Sequence, residues 1–409
     1  MRAIATTLIV ILGGCTGASN PTTPPPPTTH TLRTFERVQL ESRYFSGGAT
    51  FADFDGDGRQ DIVSGPFVWY GPDFTTKVTI YPGEAFDKRE YSNNLHAFVY
   101  DFDGDGDLDP LFIGKPVEDP TAWYANPGDR TGGWQRQVVL QGAVFNESPR
   151  FGDITGDGVP ELIYTHAQES RLGYAGPSTG WDFVPIGARG DYNPHGLGIG
   201  DVDGDGRVDV LEARGWWRQP RDANADWTLQ EVDLGSGAQI FTADLDGDGD
   251  QDIVSSLDAH GYGLAWFEQE DGRFTRRLIM GRERTDNPYG VRFTQLHGVY
   301  VTDVDGDGVS DIVTGKNHWA HGPDQDPEAQ APAVLYWFQT VRGPQLDFVP
   351  RRIDDASGVG RQFTAGDVDG DGLTDVVQGN KLGIFLFRQI ATQVAEEEWR
   401  AAQPTRTSP

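Results

Sequence analysis

The chain has 409 residues and a formal net charge of −29 at pH 7, with 62 Asp and Glu against 33 Lys and Arg. That balance argues against a nucleic-acid partner, because holding a phosphate backbone needs clustered cations that release its counterions. One cysteine rules out a disulfide within the chain, and 53 glycines with 11 % aromatic residues suit a fold of many turns and strands.

Residues 1–14 read as a targeting segment. Arg2 is basic, Ala3 to Leu12 is apolar, and the apolar run is too short to span a bilayer. Leu12-Gly13-Gly14-Cys15 resembles the lipobox of bacterial lipoproteins. That resemblance implies lipidation at Cys15 and an extracytoplasmic place in a bacterial cell envelope, touching the membrane through the lipid alone. An ordinary signal peptide carrying a cysteine is the alternative. Residues 15–34 hold a Pro/Thr-rich stretch, with Pro24 to Pro27 in a row, expected to act as an extended spacer.

From Phe35 to about residue 390 the chain repeats one unit. D-x-D-G-D-G-x-x-D, followed by an apolar residue or proline, starts at Asp53, Asp101, Asp153, Asp201, Asp244, Asp303 and Asp367. A short alternating segment precedes each loop, such as Leu197-Gly198-Ile199-Gly200, and another follows, such as Ile62-Val63. Next comes an aromatic strand, as at Trp69-Tyr70, Trp216-Trp217 or Tyr336-Trp337-Phe338. A mixed aromatic and basic strand closes the unit, as in Trp134 to Leu140 or Phe348 to Ile353. Four strands per unit predict an all-β fold, a β-propeller of seven blades. The last unit lacks its fourth strand, and Phe35 to Leu40 has the right pattern to supply it and close the ring. Residues 391–409 read as a tail, helix-prone from Ala391 to Ala402.

The repeated loop has the chemistry of a hard-cation site, since Ca²⁺ takes six to eight oxygens in flexible geometry. The first copy offers Asp53, Asp55, Asp57 and Asp61, with the Arg59 carbonyl as a further oxygen. The second offers Asp101, Asp103, Asp105 and Asp109. The third has Thr155 at its third position and offers Asp153, Asp157 and Glu161. Asp201, Asp203, Asp205 and Asp209 serve the fourth, and Asp244, Asp246, Asp248 and Asp252 the fifth. The sixth has Asp303, Asp305, Asp307 and Asp311; the seventh has Asp367, Asp369, Asp371 and Asp375. Up to seven Ca²⁺ ions are expected. Much of the acidity is therefore metal-binding in purpose.

Motif and spacing resemble FG-GAP/VCBS repeats, the unit that also builds the integrin α-subunit head. The resemblance covers Phe35 to about Gln389. It implies a seven-bladed propeller with calcium in the turn between the first two strands of each blade. It does not imply one function.

Antiparallel strands would put the acidic turns on one face, and the 2→3 loops and 4→1 connections on the other. His96, His195 and His297 stand five or six residues ahead of their motifs, at the expected channel mouth, and are candidates for one Zn²⁺ or other transition metal. His96 is one residue out of step with the other two. Lys115, His166, Arg214, Lys316 and Lys381 follow the closing acids by five or six residues, with His260 and His318 a little further on. Lys115, His166, Arg214, His260 and Lys381 are candidate ligand-binding residues for something anionic or electron-rich. The longest excursions, Gly281 to Gln295 and Asn317 to Pro332, fall on the same face.

Two functions follow. One is a calcium-stabilised module that binds a glycan or a protein on this face. The other is a metal-dependent sugar dehydratase or lyase, because the architecture is similar to the propeller of the fungal aldos-2-ulose dehydratases. There the histidines would hold the metal, and Lys316 or His318 would take the proton in a β-elimination. The sequence leaves catalysis, ligand identity and oligomeric state open.

Overall fold

The structure, a computed structural model, describes residues 29–190, 192 and 194–407. The targeting segment, Cys15 and the proline run lie outside the described residues. The fold is all-β, with one short helix, Glu396–Ala401, and two single 3₁₀ turns among the described residues.

Each acidic turn reverses the chain as expected. Gly104 and Gly106, for instance, hold φ of 78° and 98°, a region that a side chain resists. The apolar run after each turn forms the second strand of its sheet. These strands are buried almost throughout, as in Asp61–Ser64 and Asp109–Ile113, because they have sheet neighbours on both edges and packed sheets on both faces. The aromatic third strands pack between neighbouring sheets. Val63, Val68 and Tyr70 meet Ala97, Phe112, Tyr124 and Trp134 in one such layer. Trp337 meets Phe363, Phe385 and Phe387 in another. Rings buried this way hold the propeller together and are not free to stack on a sugar.

The expectation of seven separate blades is corrected. Five blades are free-standing four-stranded sheets, while the strands from Leu197–Gly200 to Arg273–Met280 form one sheet of eight. The join is a short parallel pairing, Leu197 with Gln239 and Gly198 with Ile240. Glycine makes it possible. A Cβ on Gly198 would sit 2.4 Å from the Ile240 carbonyl, and one on Gly200 would sit 2.1 Å from Thr242 Oγ1. Without those side chains the two inner strands come close enough to exchange backbone hydrogen bonds. Gly198→Ala is expected to cost about 1–3 kcal/mol, since the obstacle is backbone and cannot turn aside. Urea unfolding checks this; an unchanged midpoint would show that the join carries no stability.

The N-terminal strand closes the ring. Thr29–Glu41 runs antiparallel along Gly383–Ala395, from the pair Thr29 and Ala395 to the pair Glu41 and Ile384. The strand begins earlier than Phe35, so the end of the expected spacer is sheet. Its partner likewise extends to Ala395, where helix was expected from Ala391. Each end gives the other's backbone groups a partner, and that outweighs local helix propensity.

Candidate functional site

In every acidic turn the first and the closing acid accept backbone N–H bonds from within the turn. In the second copy Asp101 Oδ1 accepts from the Gly104 N–H at 2.7 Å and Oδ2 from the Gly106 N–H at 3.0 Å. The closing Asp109 is buried and accepts from Phe102 N–H at 2.9 Å and from Asn126 N–H at 2.8 Å. Asp61, Asp209, Asp252, Asp311 and Asp375 repeat this double acceptance. The ninth position therefore has a second duty that the motif alone hides: it latches the start of the turn to the end of the third strand.

The turns fit a divalent cation. One oxygen each from Asp101, Asp103 and Asp109 lie within 4.8 Å of one another, and so do those of Asp201, Asp203 and Asp209, and of Asp53, Asp55 and Asp57. Burial pushes the closing acids up, against their backbone donors and with help from nearby carboxylates. Asp61, Asp109, Asp209 and Asp375 reach about 6, Asp252 about 7 and Asp311 about 8. Such groups need a positive partner to ionise comfortably. In four turns an arginine already provides charge: Arg130 contacts Asp55 and Asp57, Arg218 Nε lies 2.6 Å from Asp203, Arg342 is 3.7 Å from Asp244 and Arg388 is 3.5 Å from Asp369. A cation would have to move these aside. The third turn is different again. Thr155 Oγ1 and Ser178 Oγ both donate to Glu161 Oε1, at 3.3 and 3.0 Å. Ser178 is the serine of a G-x-S-x-G string, and it is occupied in this support.

The other ends of the strands gather the imidazoles. His195 and His297 each stand two residues ahead of a first strand, Leu197–Gly200 and Val299–Thr302. His260 comes from the 2→3 loop between them. Ring centres are 5.0 Å apart for His195 and His260, 5.4 Å for His195 and His297, and 4.6 Å for His260 and His297. One nitrogen from each lies within 4.8 Å of the others. Burial lowers all three pKa values, His195 to about 4 and His297 well below its usual value, so they are neutral at pH 7. Neutral imidazole is the metal-ligating form.

His96 was expected in this group and is not in it. It is the first paired residue of its strand, opposite Ile113, rather than two residues ahead. Its ring lies parallel to Phe98, with centres 6.4 Å apart. His260, expected only as a ligand contact, takes its place. Four further residues complete the site and escaped the sequence reading. His321 stacks on His260 at 4.2 Å, and its Nδ1 lies 2.9 Å from Asp326 Oδ1. Asp326 Oδ1 is also 3.5 Å from His260 Nδ1. Glu147 Oε2 lies 3.9 Å from His195 Nε2 and accepts from Arg361 Nε at 2.6 Å. Burial opposes the Glu147 charge, but Arg361 above all, and the imidazoles once acid protonates them, hold its carboxyl at about 2. A signal for Arg361 did exist: it stands two residues ahead of its strand, Phe363–Gly366, as His195 and His297 do.

The remaining candidates have local partners. Lys115 Nζ pairs with Glu118 at 2.7 Å, Arg214 with Glu212 at 2.6 Å, and the His166 ring meets Phe183 at 4.8 Å. Lys316 and Lys381 are buried, and burial lowers both to about 8. Lys316 Nζ donates to the carbonyls of Asn317 and Ala329, at 3.1 and 3.2 Å, which pins both ends of the long loop. Lys381 Nζ donates to Trp319 O at 2.8 Å. His318 stacks on Trp319, 4.4 Å between centres, and burial with the nearby lysines lowers it to about 4.

A cavity of about 740 Å³ opens beside the His260 loop. Asp258, Gly261 and Tyr262 line it from that loop, Pro327 from the neighbouring one, and Arg276 and Arg282 from the far side.

Repeated acidic turns on four-stranded sheets have a counterpart among known families. Residues 75–164 and 244–314 match the FG-GAP-like repeat. No curated protein matches the chain. Among solved structures, BBS1N in complex with ARL6DN aligns over 90 % of this chain and 97 % of that one, at 10 % identity and a TM-score of 0.50. That is a likeness of fold. The rhamnogalacturonan lyase YesW aligns over 90 % of this chain and 74 % of its own, at 16 % identity and a TM-score of 0.43. The V. cholerae biofilm matrix protein Bap1 aligns over 73 % of this chain at 13 % identity and a TM-score of 0.33, and this chain spans 38 % of its length. The FG-GAP-like stretches include the whole of the second, third, fifth and sixth acidic turns. No helix among the described residues is long and apolar enough to cross a membrane.

Proposed function

We propose that the chain is a calcium-stabilised, extracytoplasmic propeller that binds a carbohydrate on the face opposite its acidic turns. Cys15 would carry the lipid that anchors it. The cavity beside His260 is the observation behind this reading. It joins the Tyr262 ring, over which Arg282 and Arg292 lie at 5.9 and 5.4 Å, to the cation of Arg276, with Asp258 as an acceptor. Guanidinium groups take carboxylates in a bidentate grip, and a tyrosine beside them adds apolar area and a hydroxyl. An acidic oligosaccharide suits that lining better than a protein surface, which would need a flatter and wider patch.

Titration of the full chain against neutral and uronate-containing oligosaccharides, followed by calorimetry, tests this. Tyr262→Ala and Arg276→Ala should each weaken uronate binding by roughly tenfold or more, equivalent to about 1.4 kcal/mol. Equal affinity in wild type and both variants would place the ligand elsewhere. The second reading, a metal-dependent sugar lyase, is favoured by the three converging imidazoles. Lys316 is fully buried and holds the carbonyls of Asn317 and Ala329, so anchoring the long loop accounts for it without a proton transfer.

A further inference from the structure

We propose that His195, His260 and His297 form a mononuclear transition-metal centre of the zinc class, with one coordination position open to an oxygen ligand. This goes beyond the carbohydrate reading and stands whether or not a sugar binds in the neighbouring cavity.

Ring geometry carries the argument. At Zn–N distances of about 2.0–2.1 Å and tetrahedral angles, bound imidazoles have their centres roughly 5 Å apart. The three rings here are at 5.0, 5.4 and 4.6 Å, inclined to one another by 83°, 63° and 82°. They are steeply inclined to one another instead of stacking, and one nitrogen from each lies within 4.8 Å of the others. His321 behaves differently. It lies nearly parallel to His260, at 15°, and groups with His260 and Asp326 rather than with His195 and His297.

A second observation is independent of ring placement. His297 is 1 % exposed, and its Nε2 is buried without a hydrogen-bond partner. Leaving a buried polar nitrogen unmatched is costly, and a cation would satisfy it.

The surroundings match what metal-bound histidines require. Asp326 Oδ1 stands 3.5 Å from His260 Nδ1. Asp326 is itself held, since its Oδ2 accepts from the His321 backbone N–H at 2.9 Å. Glu147 stands near His195 in the same way. Carboxylates behind ligating histidines fix the tautomer and raise ligand basicity. Three nitrogen ligands are the usual set for a zinc that keeps a fourth position for water or substrate. The His260 side chain is 24 % exposed, so that position can be reached from solvent. Neutral nitrogen ligands also explain why calcium, a cation that selects oxygen, would stay in the acidic turns.

Cobalt titration of the full chain in excess Ca²⁺, without chelator, tests the proposal. One equivalent of Co²⁺ should produce the strong visible bands of a four-coordinate site, and added acetate should shift them by entering the open position. His260→Ala should abolish the bands. Asp326→Asn should keep the stoichiometry and weaken cobalt binding about 10–100-fold. His297→Ala should behave like His260→Ala; if burial makes it unfold, His260→Ala on the partly exposed loop decides alone. Weak bands typical of oxygen ligation, or bands unchanged in His260→Ala, would overturn the centre. Loss of oligosaccharide binding with the cobalt bands intact would fail the carbohydrate reading only.

Discussion

Chelation of divalent cations at pH 8 should lower the melting temperature by roughly 10 °C or more. A site filled at 100 times its Kd adds about 2.7 kcal/mol, because the ion binds the folded turn and not the unfolded chain. Six turns carry the full set of four carboxylates. Six filled sites therefore sum to about 16 kcal/mol, and each kcal/mol moves the midpoint by about 1–2 °C in a domain of this size. The effect should shrink near pH 5. Burial raises the closing acids in the ion-free fold, Asp61 to about 6 and Asp311 to about 8. A raised carboxyl binds its proton more tightly folded than unfolded. Its contribution is thus complete below the unfolded pKa near 4 and is lost as pH rises through about 6 to 8. The ion-free protein should accordingly melt lower at pH 8 than at pH 5, and calcium should remove most of that slope. Differential scanning calorimetry in EDTA and in Ca²⁺ at both pH values measures all four states. Identical curves with and without EDTA at pH 8 would show that the turns do not depend on a cation.

Arg361→Leu should destabilise the protein by about 3–5 kcal/mol, since it strands a charge in the interior. Arg361 is 2 % exposed, gives its Nε to Glu147 and lies over the Tyr91 ring at 4.3 Å. Removing the guanidinium leaves the Glu147 carboxylate facing burial with only neutral imidazoles beside it. Its pKa, now about 2, should rise toward or above the ordinary range. In the parent protein the pair's stabilisation is present above the unfolded pKa of Glu and is lost only as pH falls through about 2. The variant's deficit should therefore be largest at neutral pH and shrink below about pH 4, where Glu147 can take a proton. The double substitution Glu147→Leu with Arg361→Leu should recover a good part of the loss, because no unpaired charge remains. Guanidinium denaturation at pH 7 and pH 4 checks both statements. A double variant as unstable as Arg361→Leu would mean that Arg361 acts through packing on Tyr91 and not through charge.

Much of the propeller can be read along the chain, because its unit is local. Asp-x-Asp-Gly-Asp-Gly requires a turn, the following apolar run requires a buried strand, and the aromatic pair after it requires a packed face. Strand pairing follows from short connections, and the N-terminal strand is legible as the missing outer partner of Phe385 to Phe387. The join between Leu197–Gly200 and Gln239–Ala243 is not legible in the same way. Two glycines announce a close approach but not what approaches them.

The imidazole site shows the same division. Sequence position alone determined that His195 and His297 lie ahead of inner strands on the face opposite the carboxylates, since strand alternation and a period of about 50 residues allow little else. Tertiary structure alone decided their company. A two-residue difference relative to the strand start takes His96 out, and loops of unequal length bring in His260, His321 and Asp326 from elsewhere in the chain. Contacts between loops depend on how far each reaches across the ring, and no local pattern encodes that distance.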